Sequence, residues 1–426
     1  MSFTRFYRES FLSLVVSSLM LPGLIAVATV FLFLTGPLVD KKDTSFAHWV
    51  TVLNRTPAHV CLFGAVIAVF FWVVLGILAC RRFTRASGAC PGPFDQLSQG
   101  FDAVKRRLGT VCADPQQADE RTACREAARH RAHLAPMFAQ PTPVGLPWLL
   151  ATGYIDGWRR LHAIDEALLY LEPAPLVVRD ALGDEMRLTG SNIPQNAALL
   201  KRLRAAVASL SPTASRYLIE APPTQEAIPE NEVEAAGEEA RAVLAQVKAA
   251  INEFRDGRRE GLVRARNRLF GTVIFSGLTG CTLLYVAILS GATKTQILAA
   301  SAFYLVGGIV GLVKQLQSAS TGATASQDDY GLGVVRLIQT PLLAGLAAIG
   351  GVVLVQLTAV QGHGPNSSFS LKETFDLGMN PYGLVAAAFF GLTPALLLSS
   401  LQQRIDQYRT DLSKSGPAES QSPGDT

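Results

Sequence analysis

No G-x-G-x-x-G and no G-x-x-x-x-G-K-[ST] stretch occurs in this 426-residue chain, so neither glycine-rich phosphate loop is available to it. Cysteine is sparse: Cys61, Cys80, Cys90, Cys112, Cys124 and Cys281 are the six. Two lie in apolar runs, one at the edge of such a run, and three in the charged part of the chain. Their spacings match no common zinc pattern and no secreted disulfide framework, so they are expected as reduced thiols. An excess of one charge is lacking too. The 38 Lys and Arg against 34 Asp and Glu leave a net +4, which gives no reason to expect a nucleic-acid partner. Asp, Glu, Lys and Arg are also missing from six long stretches. Ion-coupled pumps and proton relays usually need a charged group at membrane depth, so this absence disfavours a secondary transporter.

What is present is apolar residues in blocks. Residues 11–36, 58–80, 269–290, 295–313, 337–360 and 382–401 each have the roughly 17–25 residues with which an α-helix crosses a bilayer. Within lipid the backbone must satisfy itself, so helices are the expected form. A hydrophobic content of 49% and a mean hydropathy of +0.26 average these blocks with a charged one, residues 81–268. The first run resembles a secretory signal, with Arg5 and Arg8 ahead of it and Ala26-Val27-Ala28 like a cleavage site. Thr29–Leu34 continue the apolar stretch past that point, and it is read as an uncleaved anchor.

Basic residues set the expected orientation. With the N-terminus inside, the inner flanks carry Arg5, Arg8, Arg81, Arg82, Arg85, Arg255, Arg258, Arg259, Arg264, Arg266, Arg268, Lys314, Arg336, Arg404, Arg409 and Lys414. The outer loops hold only Lys41, Lys42, Arg55, Lys294 and Lys372. This asymmetry persists through every alternation, and it predicts a plasma (inner) membrane protein with both termini in the cytoplasm.

The expected fold is therefore all-α: six transmembrane helices, with a cytoplasmic α-helical domain between the second and third. Residues 1–80 make an N-terminal hairpin, 81–268 the domain, 269–401 a four-helix membrane block, and 402–426 a tail that is partly disordered. Pro91-Gly92-Pro93 reads as a turn. Phe94, Leu97, Phe101, Val104, Leu108 and Val111 then recur at three and four, one face of a helix. Further helices are predicted at 116–135, 148–171, 175–188 and 195–210, with Pro136 to Pro147 a connector and a short strand at Leu176–Val178 the alternative. The helix at 148–171 should bury Leu150, Tyr154, Trp158, Leu161, Ile164 and Leu168, and Ser191 or Asn192 should cap the one at 195–210. Residues 219–231 form a Pro- and Glu-rich linker. A helix then starts near 232, burying Ala240, Leu244, Val247, Ile251 and Phe254, and meets no proline before 290. Unbroken, it would be about 90 Å long, with Gly257 and Gly261 the places where it could bend.

Few residues invite chemistry. Arg258, Arg259, Arg264, Arg266 and Arg268, with Arg255, form a basic cluster just inside the third apolar run. They are candidate contacts for anionic lipid head groups, although positive-inside anchoring and ion pairs along a helix are the plainer reading. His162, Asp165 and Glu166 share one helix face and could serve a metal or acid–base role, but a solvated, salt-bridged face is the plainer reading. Cys124, His130 and His133, with Cys112, are a weak metal set. Asp328 and Asp329 are placed to cap the following helix, and Glu373, Asp376 and Asn380 lie in an outer connector. Small-residue pairs such as Gly64/Ala68, Ser276/Gly280 and Gly307/Gly311 predict close helix packing within the block or between subunits of a homo-oligomer.

No cofactor and no metal are expected. The reading that fits best is a non-enzymatic scaffold, sensor or regulatory module whose cytoplasmic helical domain engages a protein partner. An oligomeric channel or transporter built from the C-terminal block is the alternative, and a membrane-bound enzyme the least supported.

Overall fold

The computed structural model describes residues 21–35, 56–79, 84–113, 118–139, 142–211, 230–321, 330–362, 371–376, 378, 380, 382–394, 407, 408, 410–412 and 414. Helices dominate them: α1 (Leu21–Thr35), α2 (Pro57–Ala79), α3 (Pro91–Val111), α4 (Ala118–Phe138), α5 (Thr152–Leu171), α6 (Ala174–Thr189) and α7 (Asn196–Leu210). They continue with α8 (Glu230–Leu289), α9 (Lys294–Thr321), α10 (Leu332–Gly362) and α11 (Gly383–Gly391). Among the described residues the only β-pairing is an isolated bridge between Arg85 and Val144.

Among the described residues, four helices are long and apolar enough to cross a bilayer: Pro57–Leu78, the apolar end of Gly237–Leu289, Lys294–Gln317 and Leu332–Ala359. The first and last predicted spans are described only in part, as α1 and α11. Large apolar side chains point outward along these helices, Phe275 at 75% exposure and Leu305 at 60% among them. On a water-soluble protein such faces would be a liability. Here they suit lipid.

The expected close packing occurs inside the bundle. Gly391 of α11 lies directly against Gly307 of α9, where an added Cβ would come 2.7 Å from the Gly307 Cα. Gly345 of α10 lies under the Tyr304 ring, 2.6 Å from where its own Cβ would be. Phe303, Ala299, Ala348, Val352 and Ala387 fill the centre of this three-helix packing. Gly391→Leu should therefore wedge α11 away from α9, costing about 1–3 kcal/mol. Gly350→Leu, which meets nothing within 4 Å, is the matched control. Thermal unfolding in detergent should separate the two; equal midpoints would contradict the packing. The N-terminal hairpin is tied to α8 by Tyr285, whose hydroxyl donates to the Cys61 carbonyl at 2.9 Å and accepts from Thr29 Oγ1 at 3.4 Å.

The polar half of the chain packs in two layers around α5 and α8. Leu97, Phe101, Val104 and Leu108 of α3 meet Ala127, Leu134 and Met137 of α4 and Trp158, Leu161, Ile164 and Leu168 of α5. Val177, Val178, Ala181 and Leu188 of α6, with Leu203, Ala206 and Val207 of α7, cover Ala240, Leu244, Val247 and Ile251 of α8. The predicted faces are thus the buried ones, apart from Phe94 and Val111 at the two ends of α3, which are half-buried. Phe254 is half-buried, and Leu150 lies outside its helix because Ala151, at φ 60°, breaks the chain between the turn Leu146–Leu149 and α5. α8 is one unbroken helix of 60 residues.

Several local expectations need correction. Pro91-Gly92-Pro93 is the first turn of α3, where proline's missing N–H costs nothing. α4 runs through Pro136 to Phe138, its last turn held by the buried Leu134 and Met137. Leu176–Val178 are helical, started by Pro175 in the first turn of α6. Neither Ser191 nor Asn192 caps α7; the position belongs to Gln195, without a side-chain bond. Ser191 Oγ donates to the Leu188 carbonyl instead, and Asn192 Nδ2 to Asp411. Cys112 and Cys124 form a disulfide that closes the α3–α4 hairpin, while Cys61, Cys90 and Cys281 are free. Spacing along the chain had concealed this, since the hairpin turn brings the two ends together.

Candidate functional site at the junction of the long helix

α8 carries its basic cluster into the region where the polar layers meet the apolar helix bundle. Leu262, Val263, Leu269 and Val273 of α8 pack there with Cys90, Tyr154, Ile155, Tyr330, Leu332, Val335 and Leu412. The C-terminal chain therefore returns to this junction. Asp411 is fully buried, 2.9 Å from Arg258 Nη2, and accepts from Asn192 Nδ2 at 3.1 Å. Tyr408 lies on Gly261 of α8, so that glycine is a docking surface rather than a hinge. A shallow groove of about 400 Å³ opens beside it, lined by Ile193, Pro194, Glu253, Phe254, Arg258 and Tyr408.

The arginines separate into distinct environments. Arg259 is 1% exposed, 3.4 Å from Asp256 Oδ1, and sits 3.8 Å above the Trp158 ring. Arg258 stacks on Phe254 and Tyr408. Arg264 pairs with Glu260 at 2.8 Å, and Glu260 also takes Arg159 at 2.9 Å; both pairs are exposed and so contribute little. Arg268 is exposed. Arg266 is buried in the junction over the Phe270 ring, and Nε and Nη1 of its guanidinium have no hydrogen-bond acceptor among the described residues. Of the five candidate lipid contacts, only Arg264 and Arg268 stand on an open surface; Arg258 is half-buried, and Arg259 and Arg266 are inside.

His162, Asp165 and Glu166 share a face yet diverge. His162 is buried, with Nδ1 3.1 Å from Asp256 Oδ2 on α8. Asp165 lies 3.4 Å from Arg107, which also binds Glu172 and Asp180 at 2.7 Å each. Those carboxylates, the Glu172 hydrogen bond foremost, raise the Arg107 pKa and secure its charge. Glu166 accepts from Asn252 at 2.9 Å. These contacts knit α3, α5, α6 and α8 together; Asp165 is salt-bridged as expected, whereas His162 is buried rather than solvated. The His162–Asp256 pair would suit an acid–base dyad, but it lies against Arg259 and Trp158, with no hydroxyl or thiol bonded to it among the described residues. Cys124 is spent in its disulfide, and no group of three His, Cys, Asp or Glu is poised for a metal among the described residues. Asp328 and Asp329 lie outside the described residues. Asp376 and Asn380 fold their loop onto itself, Asp376 Oδ1 accepting from Gly378 N and Asn380 Nδ2 donating to the Thr374 carbonyl.

The class these features define is a helical protein with apolar helices long enough to span a membrane, one of them continuing as the spine of a polar helical domain. No protein family, curated protein or solved structure matches the chain.

Proposed function

We propose that the protein is a non-enzymatic, membrane-anchored scaffold, sensor or regulatory module that acts through its polar helical domain in the cytoplasm. One observation carries the reading: α8 supplies both a core stripe of the domain and a helix of the membrane bundle, so the two share a rigid element. A domain that served only as cargo would need no such spine. Exposed Arg264 and Arg268 are then placed to meet anionic head groups at the membrane surface.

Four crossings after the base of α8, within the six proposed with both termini inside, fit a parity argument. The Arg258–Asp411 pair puts the base of α8 and the C-terminal chain on one side, so an even number of crossings separates them. The apolar end of α8, α9 and α10 supply three, and the run at 382–401 supplies the fourth. The basic residues favour the cytoplasmic side. The opposite orientation has one observation in its favour: a Cys112–Cys124 disulfide suits an oxidising compartment. Gly307, Gly311, Gly345 and Gly351, glycines that the channel reading would have line a pore, lie against neighbouring helices instead.

The test is to place single cysteines at exposed Arg125 and Tyr170 of the full chain and label intact cells with a membrane-impermeant maleimide. Labelling only after permeabilisation is expected; labelling of intact cells would reverse the orientation. Photo-crosslinkers at exposed Tyr170 and Met186 should give reproducible adducts with one cytoplasmic protein, and proteoliposomes should pass no ions. Steady conductance without any protein adduct would support the channel instead.

A further inference from the structure

One apolar surface lies outside both the core of the polar domain and the helices long enough to span. Leu146 is 46% exposed and Leu150 42%, Pro147 between them is exposed, and Trp148 is half-buried. Leu146–Leu149 form a single helical turn that meets α5 through Leu150 and Ala151. Ala151 is fully buried with φ 60° and ψ 5°, a left-handed conformation that a side chain with a Cβ seldom adopts. That bend costs free energy and leaves Leu150 outside the core. Scattered leucines on a surface need no explanation, but a cluster beside a tryptophan marks a contact.

Two tethers set the place of the turn. Gly145 N donates to the Thr84 carbonyl at 3.3 Å, five residues beyond the end of α2 at Ala79. Asn267 Nδ2 donates to the Leu150 carbonyl at 3.0 Å, two residues before the apolar run of α8 begins at Leu269. The turn is therefore held beside the ends of two helices that are long and apolar enough to span. From Asn267 the same face of α8 continues at spacings of four, three and four as Gly271, Ile274 and Leu278. Ile274 and Leu278 are exposed, so the apolar surface of the turn runs on into that of the helix. Arg264 and Arg268 stand exposed along the flank of this face. Leucines, an indole and guanidinium groups at the end of an apolar helix are the chemistry of a membrane–water boundary.

We propose that Leu146–Leu150 is an interfacial anchor whose occupant is the bilayer surface. Leu146 and Leu150 enter the boundary between head groups and acyl chains, the Trp148 indole lies at head-group level, and Arg264 and Arg268 meet the phosphates alongside. The Trp148 ring also lies on Gly153 and edge-on to Tyr154, so the anchor is joined to the base of α5 rather than hanging from a loose loop. This goes beyond the sensor reading by giving the polar domain a hold on the membrane separate from α8. It rests on the chain being membrane-embedded.

The test replaces Leu146, Leu150, Phe275 or Tyr170, one at a time, by a photoactivatable benzophenone amino acid. Each full chain is reconstituted in nanodiscs of phosphatidylcholine and phosphatidylglycerol, illuminated and analysed by mass spectrometry. Phe275, 75% exposed on the apolar part of α8, is the positive control; Tyr170, 51% exposed at the opposite end of α5, is the negative one. Lipid adducts are expected at 146, 150 and 275, with none at 170. Leu146→Asp should lose the adduct at 150 and keep that at 275, because a carboxylate draws the turn out of the acyl region. Adducts at 275 without any at 146 and 150 overturn the anchor. An adduct at 146 or 150 to a second copy of the chain, or to another protein in place of lipid, does so too. So does a lipid adduct at 150 that Leu146→Asp leaves unchanged. Absence of lipid at 275 as well sinks the membrane reading itself, whereas lipid at 275 alone sinks only the anchor.

Discussion

Replacing Asp256 by alanine should destabilise the protein by about 3–5 kcal/mol, a large share of the roughly 5–15 kcal/mol that holds a domain folded. Asp256 is 7% exposed and carries two partners, His162 Nδ1 at 3.1 Å and Arg259 Nη1 at 3.4 Å. Removing it leaves the Arg259 cation, 1% exposed, without its carboxylate and with only the Trp158 face. The loss comes from that stranded charge rather than from the bonds themselves. Asp256→Ala combined with Arg259→Met should therefore recover most of the stability. Asp256→Asn should fall between, keeping an acceptor for His162 but no charge for Arg259. Chemical unfolding in detergent, followed by Trp fluorescence, measures all three. Exposed Asp95→Ala should change stability by less than about 0.5 kcal/mol. If the double variant were no better than the single one, the stranded-charge explanation would be wrong.

The second large effect concerns the continuity of α8. Gly257 is exposed, helical and meets nothing within 4 Å, so substitutions there act on the backbone alone. Gly257→Ala should stabilise by about 1 kcal/mol, and Gly257→Pro should destabilise by about 3 kcal/mol or more. Opposite signs at one position are the signature of an uninterrupted helix. A hinge at 257 would tolerate proline and gain nothing from alanine. Hydrogen exchange over 253–261 gives an independent readout: slow throughout in the wild type, and fast in the proline variant.

The apolar periodicity of α3, α5 and the start of α8 made their buried faces legible, because Leu, Val and Phe at three and four residues admit one reading. α8 beyond Ile251 shows where that reading stops. Ala245, Lys248, Asn252, Asp256, Arg259, Val263, Arg266 and Val273 recur at the same spacing, with Phe270 in step, and all eight are buried. The stripe continues, but polar residues fill it. A search for apolar faces passes over them, and the arginines look like a collar around the helix. The geometry that separates Arg259 and Arg266 from Arg264 and Arg268 was present in the sequence as period. What it lacked was the partner, since Asp256 is adjacent in register while Trp158 and His162 come from a helix nearly a hundred positions earlier. The return of Asp411 to Arg258 is longer-range still, and no local pattern encodes it; the Cys112–Cys124 bond spans only 12 positions, yet its spacing matches no common framework.

A straight helix anchored near one end is a lever. From Leu269 to Glu230, α8 extends about 58 Å beyond its apolar segment. A transmembrane helix meets a thinner bilayer by leaning over. A lean of about 5° at the base, transmitted without a bend, moves the far tip by about 5 Å at that reach. Such a displacement is comparable to one helical turn, and it would turn a change in bilayer thickness into motion among the helices packed along the shaft.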